Sequence, residues 1–525
     1  MTLTIEAIGY DGATALSEMA SLFFGRLRQR TDGRIQVPYK ERIRIESLIS
    51  ESEGADLVIT TTKFTEDVHD NTRWVACDSI TYNISKDEWR REAKRQLYVI
   101  LSRETGLYFP WGALTGIRPT QIACQEIERV AREAAGTLRE VRYDDVYERM
   151  TRYWHLSEQK AKLVIETAIA EQRLLASLAH PKSNGAIEHR DESFLIRSED
   201  TAYPFVVYVG LPFCPSRCAY CSFIARDAER HARLLEPYVE AVIREVEMTF
   251  SYGFTGEVAA VYFGGGTPTS LPAPLFERYL EGVLQSIPLT SDAELTMEAG
   301  RPDTIDEEKL TIIRDNKFQR LCINPQTMRD ETLKAIGRAH TVKETLKAYD
   351  LARAMGFRDI NMDLIAGLPG EGAAELLESV AQITKLAPES VTLHTLAVKR
   401  GSALIEDCVP HAVFHPDEAL LDAVERSHSL LRAHGYTPYY LYRQRNCRSG
   451  LENTGFAQEG YASIYNVAMM SDAVPVIGFG SGSTSKAIRG RQAKRVHNPK
   501  DLSVYINRVE EQVEKKRALF TLQIE

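Results

Sequence analysis

Between Val206 and Leu396 the sequence alternates short apolar runs with longer amphipathic ones. Six runs read as strands: 206–209, 258–263, 294–298, 320–323, 359–365 and 391–396. Between them helices are expected over 234–250, 275–285, 307–315, 341–355 and 373–386. A helix between successive strands returns the chain to the same edge, so neighbouring strands run parallel. Six such units are three quarters of the eight-fold barrel, and the expectation is an open, partial (β/α)6 barrel within residues 196–400. In parallel barrels the site lies at the C-terminal ends of the strands. The unusual polar residues of this stretch fall there.

The first strand runs into Cys214-Pro215-Ser216-Arg217-Cys218-Ala219-Tyr220-Cys221, which holds three of the chain's eight cysteines, spaced C-x3-C-x2-C. Thiolates favour soft metals, and iron–sulfur clusters are normally held by four of them. With three, one iron of a four-iron cubane is left to bind something else. A zinc site would want a fourth Cys or His close by, and His231 stands ten residues beyond Cys221. A disulfide suits a small secreted domain better than a long chain sparse in cysteine. Cys77, Cys124, Cys322, Cys408 and Cys447 are scattered and read as small buried apolar residues.

Strand two ends in Gly264-Gly265-Gly266-Thr267, where glycine lets backbone approach a ligand closely. A plain turn reads equally well, and the lysine of a phosphate-binding loop is missing. Strand three ends at Glu298, strand four runs into Gln326, and strand five carries Asp363. A carboxylate in the apolar run 362–365 is costly to bury unpaired, so Asp363 has either a partner side chain or a ligand.

Residues 1–195 form an N-terminal extension, α/β and then helical. Strands are expected near 3–8, 43–49 and 55–60, and helices over 13–24, 86–105 and 143–178. Pro110–Thr120, dense in Gly and Pro with Trp111 and Arg118, reads as an inter-domain turn or as a loop docking on the catalytic domain or its substrate. Residues 180–185 are the linker candidate. Residues 401–525 form a C-terminal α+β region that covers the substrate. Tyr439, Tyr440, Tyr442, Arg443, Arg445 and Arg448 interleave rings and charges. With Lys399 and Arg400 they offer flat faces and guanidinium forks for a macrocycle bearing carboxylates, or form a solvated loop. Gly478–Ser483 reads as a turn over the site, with Ser483 where a dinucleotide fingerprint needs glycine.

The net charge of −9 gives no general case for nucleic acid. No run of about 18 apolar residues suggests a membrane span. The N-terminus lacks the build of a signal peptide, so a cytoplasmic, reducing setting is expected.

With an aromatic before its last cysteine, C-x3-C-x2-C resembles the signature of the radical S-adenosylmethionine enzymes. The resemblance is closest to the oxygen-independent coproporphyrinogen III oxidases, and among them to the longer HemZ-like coproporphyrinogen dehydrogenases. It rests on PFCPSRCAYC, YFGGGTPTSL, TMEAGRPDTI, INPQTM, IGRAH, INMDLIAGLPGE and HTLAVKR, with PWGALTGIRPT in the extension and YYLYRQRN beyond. It implies a 4Fe–4S cluster on Cys214, Cys218 and Cys221. It implies S-adenosylmethionine chelated to the open iron, an oxidoreductase fed by a low-potential electron donor, and a 5′-deoxyadenosyl radical. Tyr208, Gly265, Gly266, Thr267, Glu298, Gln326, Arg338, Asp363, Ile365 and Ala397 match the family's S-adenosylmethionine-contacting positions, with Asp363 on the adenosine ribose. No catalytic side chain is named. The implied reaction belongs to porphyrin and haem biosynthesis: oxidative decarboxylation of coproporphyrinogen III propionates to vinyls, giving protoporphyrinogen IX. Phe223 stands where those oxidases carry a further Cys, and Gly210 where they carry a His. A haem chaperone and a haem-modifying radical methyltransferase share the expected fold, so the tetrapyrrole partner is coproporphyrinogen III or haem.

Overall fold

The computed structural model describes residues 1–521 apart from 26, 28–31, 52–56, 68–72, 87, 117, 134–142, 180–202, 222–224, 252–253, 255, 398–416, 445–446 and 491. The linker expected at 180–185 lies outside the described residues, as do Cys408, Phe223, Lys399, Arg400 and Arg445.

The extension opens with β1 (Thr2–Ile8), α1 (Ala13–Phe24), β2 (Ile35–Pro38), β3 (Ile43–Glu51), β4 (Leu57–Glu66) and β5 (Trp74–Ile84). The strands lie in the order β2-β1-β3-β4-β5, with only the β1–β3 pair parallel. Alternation puts Leu3, Ile5, Ile43 and Ile45 on one face, where they share a core with α1 and α2 (Trp89–Thr105). β2 and β5 have no counterpart in the sequence reading. β2 is four residues long, and most of β5 is exposed on both faces, so neither shows a sustained apolar period. Cys77, expected to be buried, is exposed on β5. The extension continues through α3 (Pro119–Glu133), α4 (Tyr143–Glu148), a π-helical turn (Arg149–Tyr153) and α5 (Glu158–Ala179). Proline at the first position of α3 starts that helix inside the stretch expected to be a loop.

Next come β6 (Phe205–Leu211), the short β7 (Phe213–Cys214) and β8 (Arg226–Asp227), α6 (Ala232–Ser251), β9 (Val258–Gly265), α7 (Ala273–Leu284), β10 (Leu289–Glu298), α8 (Glu307–Asp315), β11 (Arg320–Cys322), α9 (Asp330–Ala335), α10 (Val342–Ala354), β12 (Asp359–Ala366), α11 (Ala373–Leu386) and β13 (Ser390–Thr395). Six strands pair in parallel in the order β13-β12-β11-β10-β9-β6, the expected partial barrel. Their outward faces, such as Val207, Val261, Met297 and Met362, make one core with the helices.

The sheet runs on at both edges. α12 (Glu418–Ala433) leads to β14 (Thr437–Arg443) and β15 (Glu452–Ala457), and β15 pairs antiparallel with β13. After α13 (Ile464–Met470), β16 (Val476–Phe479) pairs in parallel with β6, and β17 (Thr484–Arg489), β18 (Gln492–His497), α14 (Leu502–Asn507) and α15 (Val509–Thr521) follow. Gly478–Ser483 is therefore part strand and part turn. Gly478 and Phe479 lie in β16, and Gly480 turns beneath Glu245, which accepts its N–H at 3.0 Å. That carboxylate is buried and also takes Lys516 Nζ at 2.5 Å and the Tyr505 hydroxyl at 2.7 Å, locking the C-terminal helices to the barrel.

β14 and β15 each face two ways. Leu441 joins the extension's core, while Tyr440 reaches Thr392 on β13. Glu452 points to the extension, and Asn453, its neighbour, to the barrel. Lys160 of α5 meets Glu452 at 2.6 Å and Glu425 at 2.5 Å, and Trp111 Nε1 donates to the second oxygen of Glu452 at 2.8 Å. Burial would raise Glu452, but Lys160, His428 and Trp111 together outweigh it and bring the carboxyl down to about 2. Arg443 is half-buried over the Trp111 ring and donates to the carbonyls of Leu114 and Gly450. Arg118 pairs with Asp472 at 2.6 Å. The loop around Trp111 thus docks on the sheet edge.

Removing one partner of a buried pair leaves the other charge stranded, which costs about 3–5 kcal/mol. Lys160→Ala is expected to lower apparent stability to urea by that order, and adding Glu452→Gln should restore part of the loss. Additive losses in the double variant would contradict the pairing.

Candidate functional site

The C-terminal ends of the barrel strands carry a cysteine loop on one side and a polar wall on the other. Cys214, Cys218 and Cys221, none of them in a disulfide, are half-buried on the loop after β6. The loop is held from three directions. Ala219 N–H donates to the Ile336 carbonyl at 2.9 Å. Arg301 donates to the Ser216 hydroxyl at 3.1 Å, and Arg338 donates to the Tyr220 hydroxyl at 3.0 Å. Burial pushes the Cys214 thiol up to about 11, with Thr267 pulling the other way from 3.5 Å. Among the described residues no three His, Cys, Asp or Glu side chains form a ready-made single-ion site. A cubane cluster holds its ligands further apart than one ion does, because each sulfur takes a different corner.

The triple glycine is a steric requirement. A Cβ on Gly264 would run into Glu298 Oε2, and one on Gly266 would lie 2.8 Å from the Leu211 carbonyl oxygen. Gly265 has φ +107°, a backbone that residues with a Cβ rarely adopt. Thr267 is buried, and its N–H donates to the Phe213 carbonyl at 2.7 Å, closing the segment against the cysteine loop.

Opposite stand Glu298 at the end of β10 and Asp363 on β12. Burial and then the charge of Asp363 push Glu298 up to about 7. Asp363 has a side-chain partner: Asn361 Nδ2 donates to it at 2.7 Å, and His394 Nε2 lies 3.5 Å from its other oxygen. Burial would raise Asp363, but His394, Asn361 and Thr392 together outweigh it and hold the carboxyl below its usual range. Gln326 is pinned between the Asp363 carbonyl and the Ile365 N–H, at 2.9 Å each, in a left-handed conformation with φ 71°. Such strain gathers at functional sites. Gln326 Oε1 and Asn324 Oδ1 are buried without a hydrogen-bond partner. Ile365 is buried, and Ala397 bridges to Cys447 across the sheet edge.

Tyr208 and Tyr262 stack in the barrel with Tyr465 of α13, whose ring centroid is 4.3 Å from that of Tyr262. Glu294 on β10 fixes that helix by accepting from Ser463 Oγ at 2.9 Å and the Ile464 N–H at 3.0 Å, favoured at a helix N-terminus. The sequence reading did not single out His394 or Tyr465. His394 had a period-2 signal, since Thr392 and His394 alternate with Val391 and Leu393. Tyr465, remote in sequence, had none. Of the rings and charges expected to interleave between Tyr439 and Arg448, Tyr439, Tyr440 and Tyr442 pack in one cluster, whereas Arg443 is turned away to the Leu114 and Gly450 carbonyls, and Arg445 and the Arg448 side chain lie outside the described residues.

The Radical SAM superfamily profile matches residues 208–383. The chain is 36% identical to the oxygen-independent coproporphyrinogen-III oxidase-like protein HemZ of Bacillus subtilis strain 168, over 82% of this chain and 83% of that protein. It is 30% identical to the heme chaperone HemW of Escherichia coli K12, over 54% of this chain and 70% of that protein. The solved coproporphyrinogen III oxidase HemN of Escherichia coli is 21% identical, with 59% of this chain and 70% of that one aligned at a TM-score of 0.49. The chain belongs to the radical SAM superfamily and, within it, to the family of oxygen-independent coproporphyrinogen-III oxidase-like proteins. Membership implies a 4Fe–4S cluster and S-adenosylmethionine as cofactors. Three half-buried thiols on one loop and unpartnered buried oxygens at Gln326 and Asn324 fit that pair. Among the described residues no helix is long and apolar enough to cross a membrane.

Because Glu298 is raised, the folded protein keeps a proton that the unfolded chain sheds above pH about 4.3. Folding therefore loses stability as pH rises from there to about 7, and the loss persists beyond. Glu298→Gln is expected to stabilise the apoprotein by about 1–3 kcal/mol near pH 8 and hardly at all near pH 4. Urea unfolding at the two pH values checks this; an equal effect at both would contradict it.

Proposed function

We infer that the protein is a radical S-adenosylmethionine oxidoreductase that converts propionates of coproporphyrinogen III to vinyls without oxygen. The observation that carries this reading is the 36% identity to the coproporphyrinogen-III oxidase-like protein HemZ across both the extension and the barrel. In this reading Cys214, Cys218 and Cys221 hold the cluster. Tyr208, Gly265, Gly266, Thr267, Glu298, Gln326, Arg338, Asp363, Ile365 and Ala397 line the S-adenosylmethionine site. When bound, the two cofactors together supply a 5′-deoxyadenosyl radical able to take a hydrogen atom from an unactivated carbon. Each propionate then loses one hydrogen atom, one electron and carbon dioxide, and an external acceptor takes the electron. The chain's own contribution is to orient and to exclude water. Arg301 and Arg338 fix the cysteine loop, the triple glycine admits close backbone approach, and Glu298 and Asp363 offer acceptors for hydroxyl groups. In domain terms, 1–195 is a buttress, 196–400 the barrel, and 401–525 completes its edges; the setting is cytoplasmic.

A second reading is haem binding and transfer, favoured by the 30% identity to the heme chaperone HemW. Gly210 also bears on it. Where the oxidases carry a His, this residue has no side chain, and its carbonyl accepts from Tyr238 at 2.7 Å.

Anaerobic incubation of the reconstituted protein with coproporphyrinogen III, a strong reductant, an electron acceptor and S-adenosylmethionine separates the two. The oxidase reading expects carbon dioxide, vinyl product and 5′-deoxyadenosine, all lost in Cys218→Ala. Stoichiometric haem binding with none of these products would instead establish the chaperone reading.

A further inference from the structure

We propose that His394 is a positioning residue: a half-buried imidazolium, gripped between Asn453 and Asp363, that aims Asp363 at S-adenosylmethionine. The inference rests on the reading of Asp363 as a cofactor contact.

The hydrogen bonds around the ring fix its protons. Asn453 Nδ2 donates to the Tyr442 carbonyl at 3.3 Å, and Asn453 Oδ1 accepts the Thr395 N–H at 3.1 Å. The amide is thereby oriented with its oxygen toward His394 Nδ1, 3.2 Å away, so Nδ1 faces an acceptor and carries a proton. Nε2 faces Asp363 Oδ2 at 3.5 Å, a second acceptor. A ring with acceptors at both nitrogens is held as the cation. The Tyr442 hydroxyl, 3.4 Å from Nδ1, itself accepts from Gln444 Nε2 at 3.3 Å.

Charge balance points the same way. The titratable groups facing the ring are Asp363 from β12, Glu298 from β10 and Tyr442 from β14, while β15 presents the uncharged Asn453. Burial keeps Tyr442 protonated, so the charges that act most strongly on the ring are two carboxyls. Burial disfavours the imidazolium, but Asp363, Asn453 and Glu298 outweigh that and raise it. Two acids facing each other in a closed space cannot both ionise cheaply. With His394 charged, Asp363 stays ionised and Glu298 is the one that keeps the proton near neutrality. With Asn361 on Oδ1 and His394 beside Oδ2, the Asp363 carboxylate has one orientation, and its remaining lone pairs are left for a ligand's hydroxyls.

The test has two arms on the reconstituted holoprotein. In the first, ring nitrogens of 15N-histidine-labelled protein are followed by NMR against pH, with the His394 signals assigned by their loss in His394→Gln. Expected is an imidazolium at neutral pH that titrates above the exposed histidines; a neutral ring there overturns the inference whatever the variants' affinities. In the second, equilibrium dialysis measures S-adenosylmethionine binding to wild type, His394→Gln and Asp363→Asn at several pH values. His394→Gln is expected to keep the cluster's absorption, weaken binding about tenfold or more, and lose the alkaline fall in affinity that wild type shows. Wild-type affinity and an unchanged pH profile in His394→Gln, with Asp363→Asn impaired, overturn the inference alone. Wild-type affinity in Asp363→Asn overturns both it and the reading of Asp363.

Discussion

Lys160 carries its charge, itself buried, into the junction between extension and barrel, and Glu452 and Glu425 make that tolerable by meeting it at 2.6 and 2.5 Å. An isolated buried ammonium would shed its proton; a hydrogen-bonded pair keeps it. The trio ties α5 to β15, and everything on the far face of β15 inherits that position. Asn453, one residue on, orients His394, and β14 beside it brings Tyr442 to the same ring. The extension thus braces the strands that carry the wall of the site. An equivalent lock stands at the other sheet edge. There Glu245 gathers Gly480, Tyr505, Asn498 and Lys516 behind β16, next to the strand that feeds the cysteine loop.

Between these locks the barrel does what parallel sheets do. Its strands deliver polar side chains to one end while their outward faces bury in the helix layer. Two carboxyls, a histidine and two orphaned amide oxygens would be expensive in a sealed core. Gathered at the strand ends, beside a loop of three thiols and two guanidiniums, they make sense as the lining of a site for a polar cofactor.

The barrel was legible because its signal is local. An apolar run, a helix of matching length and another apolar run report a parallel unit whatever happens elsewhere in the chain. The cysteine spacing and the triple glycine were legible for the same reason, and the close approaches at Gly264 and Gly266 explain why glycine is needed there. What stayed hidden depends on two-sidedness and distance. β14 reads as one aromatic and basic patch, but a strand sends neighbours to opposite faces, so Leu441 serves the extension and Tyr440 the barrel. β5 lacks a buried face and so gave no period. The Lys160–Glu452 contact spans 292 residues, and no local pattern announces it.

The central claim is that three cysteines hold a 4Fe–4S cluster with one iron open to S-adenosylmethionine. Electron paramagnetic resonance of the anoxically purified, dithionite-reduced protein, recorded with and without S-adenosylmethionine, tests it most directly. A cluster with an open iron gives a 4Fe–4S signal whose g-values move when S-adenosylmethionine is added. No cluster signal, or one that S-adenosylmethionine leaves unchanged, would contradict it.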